Sequence, residues 1–227
     1  MKAVSTVLCA LALASQTLAA QSSRNAGWKS TFDVDVRELV STGASRYFRL
    51  DPGSHVVLEH GDERLVITAL DETHVVGGVT TRVVEERETK GGRLVEVSRN
   101  FMARHPKTGD VFYFGEEVDI YKDGKVVSHE GAWLAGVRGG KFGLFIPGAP
   151  VEGAGYYQEI APKVAMDRVR IVSTTATVVT PAGTFEECVR LEETTPLEPG
   201  VKDYKVFASG IGIVQDGLLK LVRHGRR

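Results

Sequence analysis

The 227-residue sequence has little cysteine, no excess of either charge and no long apolar run beyond its N-terminus. Its 28 Lys and Arg against 29 Asp and Glu give a formal net charge of −1, whereas a nucleic-acid-binding surface needs a clustered basic excess. Two cysteines are too few for a disulfide scaffold. A membrane helix needs about 18 or more consecutive apolar residues. We therefore expect no nucleic-acid partner and no membrane span.

The sequence also lacks the motifs of common catalytic and cofactor sites. It contains no Gly-x-Ser-x-Gly elbow, no phosphate-binding loop and no dinucleotide fingerprint. Its histidines do not have the spacing of a zinc site, and its acidic clusters match no calcium loop. The sequence therefore predicts no metal and no cofactor, and it does not indicate an oligomeric state.

The first 20 residues have the three parts of a secretory signal peptide. A short basic start, Met1-Lys2, precedes an apolar stretch over 3–14, and small residues follow that suit cleavage after Ala19 or Ala20. The mature protein is therefore expected to be periplasmic or secreted. One cysteine, Cys188, would remain, and we expect it to be a buried strand residue.

Beyond the leader, we divide the chain into a loose, mixed and polar lead-in over 21–45, a single β domain over 46–223 and a tail over 224–227. Runs rich in Val, Thr, Ile, Tyr and Phe alternate with Gly-Asp, Gly-Gly and Asp-Gly pairs, and no segment has a clear helical period. This pattern predicts an all-β fold, an antiparallel meander of about ten strands that forms a barrel, half-barrel or sandwich. The Gly-rich segment 136–143 is expected to be a flexible loop that acts, with 145–150, as a lid.

Five segments of the β domain carry a resemblance. They are Tyr47–Gly53, Val111–Glu116, Thr180–Phe185, Pro196–Gly200 and Ala208–Gly212. These resemble the Y-F-x-L-x-P-G, W-Y-F-G-E, P-A-G-T-F, P-L-E-P-G and A-P-G-V-G segments of a group of uncharacterised exported proteins, chiefly bacterial. Phe112 stands where Trp is usual, and Ser209 and Ile211 depart from the last pattern. The resemblance spans about 47–214 and implies a β-rich exported protein without a known activity.

The predicted turn at His105–Asp110 fixes a cross-strand register. If His105 pairs with Asp110, Arg99 lies opposite Glu116. Phe101 then lies opposite Phe114 on the same, otherwise apolar, face. A charged pair on such a face is stable only if its members contact one another.

A second predicted turn, Asp123-Gly124, brings further residues to that face. It places Trp133 opposite Phe114, and His129 opposite Val118, diagonal to Glu116. A slip of either register by one residue would move these side chains to different faces.

Three interpretations of Arg99, Glu116 and His129 remain open at this stage. They could form an internal salt bridge, they could line the floor of a ligand cavity, or they could act as base and oxyanion stabiliser in catalysis. We expect a lipocalin-like protein that binds a small, partly apolar molecule, without chemistry. The alternatives are a hydrolase or isomerase that uses the same cavity, and a structural envelope or extracellular protein with a filled core. The predicted ligand-binding residues are Arg99, Glu116, His129, Phe101, Phe114 and Trp133.

Overall fold

The computed structural model describes residues 27–226, so the predicted signal peptide over 1–20 lies outside the described residues. In the described part, fifteen strands join one antiparallel sheet, and the helical structure is a single 3-10 turn over Val36–Glu38. The predicted all-β class is confirmed. The prediction of about ten strands is wrong, because several strands are only two or three residues long and leave no alternating pattern in the sequence.

Six of the strands span 12 to 14 residues, and three span only two or three. The strands are β1 (Ser54–His60), β2 (Glu63–Val76), β3 (Val79–Lys90), β4 (Arg93–Arg104), β5 (Val111–Lys122), β6 (Lys125–Ser128), β7 (Trp133–Leu134), β8 (Lys141–Ile146), β9 (Gly155–Tyr157), β10 (Glu159–Ile160), β11 (Arg168–Thr180), β12 (Gly183–Thr194), β13 (Asp203–Ala208), β14 (Gly212–Asp216) and β15 (Leu219–Arg226).

The order of the strands forces the sheet to curl. It runs β10-β8-β5-β4-β3-β2-β1-β15-β14-β13-β12-β11-β9, so β10 and β9 are the two ends of the sheet. One residue, Gln158, separates these two strands in the chain. Because the ends are joined across one residue, the sheet is nearly closed into a barrel. Two hydrogen bonds of Gln158 hold the two ends of the sheet in place. Its Nε2 donates to the carbonyl oxygen of Phe145 at 3.1 Å, and its backbone amide donates to the carbonyl oxygen of Asp167 at 2.8 Å.

Short turns connect most neighbouring strands, as their sequences predict. The turn at Gly61-Asp62 joins β1 to β2 and places Leu58 opposite Leu65. Asp123 and Gly124 join β5 to β6 with φ of 52° and 73°, the two positive values that a type I′ turn requires.

The pairing of β4 with β5 differs from the predicted register. Near the connecting turn the predicted pairs are present, for example Ala103 opposite Phe112. Between Met102 and Asn100, however, the register shifts by one residue. Glu116 therefore lies opposite Asn100, and Arg99 lies opposite Glu117. The predicted pairing of Arg99 with Glu116 is wrong, and the two side chains lie on opposite faces of the sheet.

A β-bulge at Gly115 causes this shift. Gly115 has a φ of 143°, and a Cβ there would lie 2.5 Å from the carbonyl oxygen of Trp133 and 2.9 Å from the Cα of Leu134. A glycine is therefore needed for β7 to approach β5 this closely. The bulge also places Trp133 opposite Glu116, where the sequence predicted Phe114.

Two segments expected to be loose are packed. Phe32, in the predicted lead-in, contacts the ring of Phe112 edge-on, with centroids 5.9 Å apart. The predicted lid over 136–150 instead supplies β8, which pairs with β5 and β10 and buries Phe145 and Ile146. Cys188 is fully buried in β12, as predicted.

Candidate functional site

An interior pocket of about 170 Å³ lies between the two halves of the curled sheet. Its walls come from β3, β4 and β5 on one side and from β12 and β13 on the other. These two groups of strands are not neighbours in the sheet, so the curl of the barrel encloses the pocket. Its lining is mostly polar: Glu86, Glu96, Ser98, Asn100, Met102, Tyr113, Glu116, Phe145, Gln158, Glu159, Asp167, Glu193 and Lys205.

Strand alternation explains why polar side chains face inward here. Ser98, Asn100 and Met102 occupy alternate positions of β4 and all line the pocket. Glu86 lies opposite Ser98 and Glu116 lies opposite Asn100, so both carboxyl groups share this face. The more apolar side of β4 therefore faces away from the pocket, which is the reverse of the prediction.

Hydrogen bonds hold the amide of Asn100 in one orientation. The hydroxyl of Tyr113 donates to Asn100 Oδ1 at 2.6 Å. Asn100 Nδ2 donates to Ser98 Oγ at 3.2 Å and to the carbonyl oxygen of Val84 at 3.3 Å. Burial and the nearby carboxyl groups raise the pKa of Tyr113 well above its usual value. Tyr113 is therefore a neutral hydrogen-bond donor at the wall of the pocket.

Six carboxyl groups line the pocket, and burial raises the pKa of Glu86, Glu96, Glu116, Glu159 and Asp167. Burial raises the pKa of Glu86 to about 8. Burial also raises the pKa of Glu116 to about 7, although the nearby Tyr113 hydroxyl opposes the shift. Glu86 is thus mainly protonated at neutral pH, and Glu116 is divided between its acid and its anion.

Glu159 has an unused hydrogen-bonding atom in this pocket. The residue is 3% exposed, and its Oε1 accepts a hydrogen bond from the backbone amide of Asp167 at 2.6 Å. Its Oε2 has no hydrogen-bond partner among residues 27–226. Burial raises the pKa of Glu159 well above its usual value. A carboxyl oxygen without a protein partner can accept a hydrogen bond from a donor of a ligand.

Lys205 is the one lysine or arginine among the residues that line the pocket. Its Nζ donates to the two carboxylate oxygens of Glu193 at 3.1 and 2.9 Å. Burial by itself lowers the pKa of Lys205, but the charges of Glu193 and Asp216 raise it well above its usual value. This ammonium is therefore engaged by Glu193, and most of the other carboxyl groups have no cation of their own.

Glu116 connects the interior pocket to the outside of the barrel. It also lines two outer pockets, of about 350 and 390 Å³. The larger one also shares Asp167 and Glu193 with the interior pocket, so carboxyl groups line both the outer pocket and the interior pocket. We call these two outer pockets the mouth. Four roughly half-exposed apolar side chains line it: Val137, Val164, Leu197 and Val201.

Two of the predicted site residues lie on the opposite face of the sheet. Arg99 and His129 both line an outer groove of about 520 Å³. Arg99 Nε lies 3.6 Å from Glu85 Oε2, and His129 Nδ1 lies 2.9 Å from Asp119 Oδ1. The predicted cluster of Arg99 and His129 with Glu116 is therefore not formed, because the bulge at Gly115 moves Glu116 to the inner face.

The three predicted aromatic residues separate in the same way. Trp133 lies opposite Glu116 and contacts Tyr113 edge-on, with centroids 5.3 Å apart. Phe101 stacks on His74 at 4.5 Å, on the face away from the pocket. Phe114 stacks on the ring of Phe142 at 4.8 Å and lines none of these pockets.

Sequence reasoning missed most of the interior pocket. The sequence did contain one signal, since Ser98 and Asn100 alternate along β4 at positions that the structure buries. A buried polar pair in a strand is uncommon unless it lines a polar space. The residues that were missed are Glu86, Glu96, Glu159, Asp167, Glu193 and Lys205.

Over residues 27–226, no helix is long and apolar enough to cross a membrane. In the same part of the chain, no three His, Cys, Asp or Glu side chains are placed to hold one metal ion.

Comparison with known proteins gives little similarity. No protein-family model matches the chain, and no curated protein does so. One solved structure that matches is a putative lipoprotein from Parabacteroides distasonis, with 11% sequence identity and a TM-score of 0.39 over 81% of this chain and 100% of that chain. Similarity at this level supports no inference about function.

Proposed function

We propose that this protein, exported as its leader predicts, binds a small organic cation with an apolar substituent. The charged group, an ammonium, enters the interior pocket, and the apolar part rests at the mouth. This specifies the small, partly apolar ligand that the sequence led us to expect. The position of Glu116 carries the proposal, because this carboxyl group lines both the acidic interior and the mouth with its exposed apolar side chains.

The balance of charge in the pocket favours a cation. Six carboxyl groups surround one ammonium, Lys205, which Glu193 already engages. An entering ammonium can donate to the free Oε2 of Glu159 and lower the cost of ionising Glu86 and Glu116. Binding is therefore coupled to the release of protons.

The mouth favours a ligand with an apolar part. Val137, Val164, Leu197 and Val201 are each between 42% and 55% exposed, and they cluster around the entry to the pocket. Each buried methylene group of a ligand contributes about 0.8 kcal/mol. We therefore expect affinity to rise with chain length while the chain remains in contact with the mouth.

One observation favours an enzyme as a second candidate. The pKa of Glu116 is raised to about 7, which is the range in which a carboxyl group works as a general acid or base near neutral pH. Incubation with the bound amine, followed by mass analysis, separates the two functions. An unchanged ligand supports binding alone, and a changed mass supports catalysis.

Calorimetric titration with hexylammonium tests the binding proposal. We expect hexylammonium to bind at least about tenfold more tightly than hexanol, because only the ammonium gains from the carboxyl groups. Repeating the titration in buffers with different ionisation enthalpies measures the protons released. Equal affinity for the amine and the alcohol would contradict the proposal.

A pair of glutamate variants isolates the pocket. Glu116→Gln removes the carboxyl group that links the pocket to the mouth, and we expect it to weaken hexylammonium binding by about tenfold or more. Glu85→Gln is the matched control, because Glu85 lies opposite Arg99 on the other face of the sheet and lines neither the interior pocket nor the mouth. If both variants weaken binding equally, the interior pocket is not the site.

A further inference from the structure

A second pocket, of about 240 Å³, opens on the same inner face of the barrel. Val84 lines it, two residues before Glu86 on β3. Since alternate residues of a strand share a face, the two pockets are adjacent compartments of one interior. The floor of the second pocket is made of buried apolar side chains: Val56, Ile67, Ala69, Val84 and Ile213.

An aromatic pair divides the two compartments. Phe48 lines the second pocket and Phe145 lines the acidic one. Their rings meet edge-on, with centroids 5.0 Å apart. Both residues are buried, so a ligand in one pocket does not reach the other.

Basic side chains surround the second pocket. Arg226 lies opposite Ser54, and His224 lies opposite Val56, so both basic residues share the inner face with the apolar floor. Arg49 also lines this rim, where its Nη2 is 3.5 Å from Asp51 Oδ2. Asp51 itself does not line the pocket, so the charge that faces the opening is positive.

The guanidinium of Arg226 has N–H groups that bond to no residue within 27–226. Its Nε donates to the carbonyl oxygen of Pro52 at 3.1 Å, which fixes the group at the rim. Its two terminal nitrogens make no hydrogen bond to any residue within 27–226. A guanidinium in this state presents a fork of donors that matches a carboxylate.

Ser54 provides the second and independent sign of a ligand. Ser54 is 7% exposed and lines the pocket, yet its Oγ has no hydrogen-bond partner in the described chain. A buried hydroxyl without a partner is rare in folded proteins. A ligand oxygen below Arg226 would accept its hydrogen bond.

We propose that this pocket binds a small carboxylate with a short apolar chain, such as hexanoate. The carboxylate meets Arg226 and the hydroxyl of Ser54, and the chain lies on the floor formed by Val56, Ile67 and Val84. A volume of about 240 Å³ is on the order of eight non-hydrogen atoms at roughly 30 Å³ each, the share of a water molecule in the liquid. Hexanoate has that size. The site is separate from the acidic pocket and takes a ligand of the opposite charge.

Calorimetric titration with hexanoate tests the proposal. We expect a Kd tighter than about 1 mM, at least about tenfold tighter than for hexanol, and weaker binding at high salt. No measurable binding, or equal binding of hexanol, would overturn it.

Rim variants show whether hexanoate occupies this pocket. Arg226→Gln removes the charge but keeps a polar side chain, and we expect it to weaken hexanoate binding by about tenfold. Arg223→Gln is the matched control, because Arg223 pairs with Val57 on the opposite face, and it should change binding by less than about twofold. Equal losses in the two variants would overturn the proposal.

Two further variants complete the test. Ser54→Ala removes one hydroxyl and should weaken hexanoate binding by about three- to tenfold. Glu116→Gln, in the acidic pocket, should leave hexanoate binding unchanged while it weakens hexylammonium binding. If Glu116→Gln abolishes hexanoate binding too, the carboxylate does not have a site of its own.

Discussion

The ring of Phe48 packs edge-on against the ring of Phe145, and this contact separates two pockets of opposite charge inside one barrel. The ring of Phe145 also meets the ring of Phe207 edge-on, with centroids 5.9 Å apart. Within residues 27–226, no ion pair joins the lining of one pocket to that of the other. The carboxyl groups on one side and the arginines on the other are therefore available to two different ligands.

Glu86→Gln is predicted to change how stability depends on pH. Burial raises the pKa of Glu86 from 4.5 to about 8, so the folded protein keeps a proton that the unfolded chain releases between these values. The wild type therefore loses stability as pH rises through this window. Such a shift corresponds to on the order of 3–5 kcal/mol. The glutamine variant cannot ionise, so urea unfolding should show it to be more stable than the wild type at about pH 8 and similar at about pH 4.

The adjacent residue provides the control for this experiment. Glu85 lies on the other face of β3, where its Oε2 is 3.6 Å from Arg99 Nε and its Oε1 is 3.6 Å from Arg87 Nη1. Because Glu86 is intact in Glu85→Gln, this variant should still lose stability as pH rises from about 5 to about 8. If the wild type and Glu86→Gln show the same pH dependence, Glu86 ionises freely in the folded protein, contrary to its place in the pocket.

Lys205→Met is predicted to destabilise the protein strongly. The change removes the ammonium that donates to Glu193 at 2.9 and 3.1 Å and leaves Glu193 and Asp216 without their compensating charge. The side chains of Lys205 and Glu193 are only 21% and 16% exposed, and removing one partner of such a largely buried ion pair costs up to about 3–5 kcal/mol. Chemical denaturation measures this loss.

The matched control is Lys202→Met. Lys202 also binds a glutamate, Glu192, at 3.0 Å, but its side chain is 55% exposed. Exposed ion pairs contribute little to stability, so this variant should lose much less than Lys205→Met. Similar losses would mean that the Lys205 pair is as well hydrated as a surface pair.

Local sequence signals predicted the fold class but not the site. Turn residues such as Gly61-Asp62 and Asp123-Gly124 specify hairpins through backbone conformation alone, and both turns are present. Lys205 and Glu86, in contrast, meet across the barrel from strands more than 100 residues apart. No pairing rule between consecutive strands reaches that far, so the acidic pocket could not be assembled from the sequence.

The predicted site failed at a single residue. The apolar pattern of β4 and β5 fits a regular register in which Arg99 lies opposite Glu116. The bulge at Gly115 inserts one residue into β5, so Glu116 and the later residues of β5 pair one position further along β4 than predicted. Apart from the alternation of Ser98 and Asn100 along β4, no pattern in the sequence indicates that the inner face of this barrel is the polar one. Hydrophobic alternation identifies two faces of a strand, and only the topology identifies which one is enclosed.

Gly115→Ala is predicted to be much more harmful than a glycine substitution in a turn. A Cβ at Gly115 would lie 2.5 Å from the carbonyl oxygen of Trp133, so β7 must move, and the φ of 143° is itself strained for alanine. We expect a loss of at least about 3 kcal/mol from strain and displaced packing together. Gly124→Ala, at a φ of 73° with open space around it, should cost about 1 kcal/mol. Thermal unfolding measures the stability that each variant loses. Equal losses would show that β7 can move away from β5 at little cost.

Phe145→Ala is predicted to join the two pockets and create a new specificity. The substitution removes the ring that separates the acidic compartment from the one with the basic rim, at a cost of about 3–5 kcal/mol in stability. A chain with an ammonium at one end and a carboxylate at the other, such as 8-aminooctanoate, could then reach Glu159 and Arg226 together. We expect calorimetry to show that the variant binds this molecule at least about tenfold more tightly than the wild type does.

Phe114→Ala controls for the loss of a buried ring alone. Phe114 stacks on Phe142 and lies away from both pockets, so its removal should destabilise the protein by a similar amount without any gain in affinity for 8-aminooctanoate. The gain in Phe145→Ala should also disappear when either Glu116→Gln or Arg226→Gln is added, because each charge holds one end of the chain. If the double variants still bind 8-aminooctanoate as tightly, the molecule does not span the barrel, and Phe145 does not divide two sites.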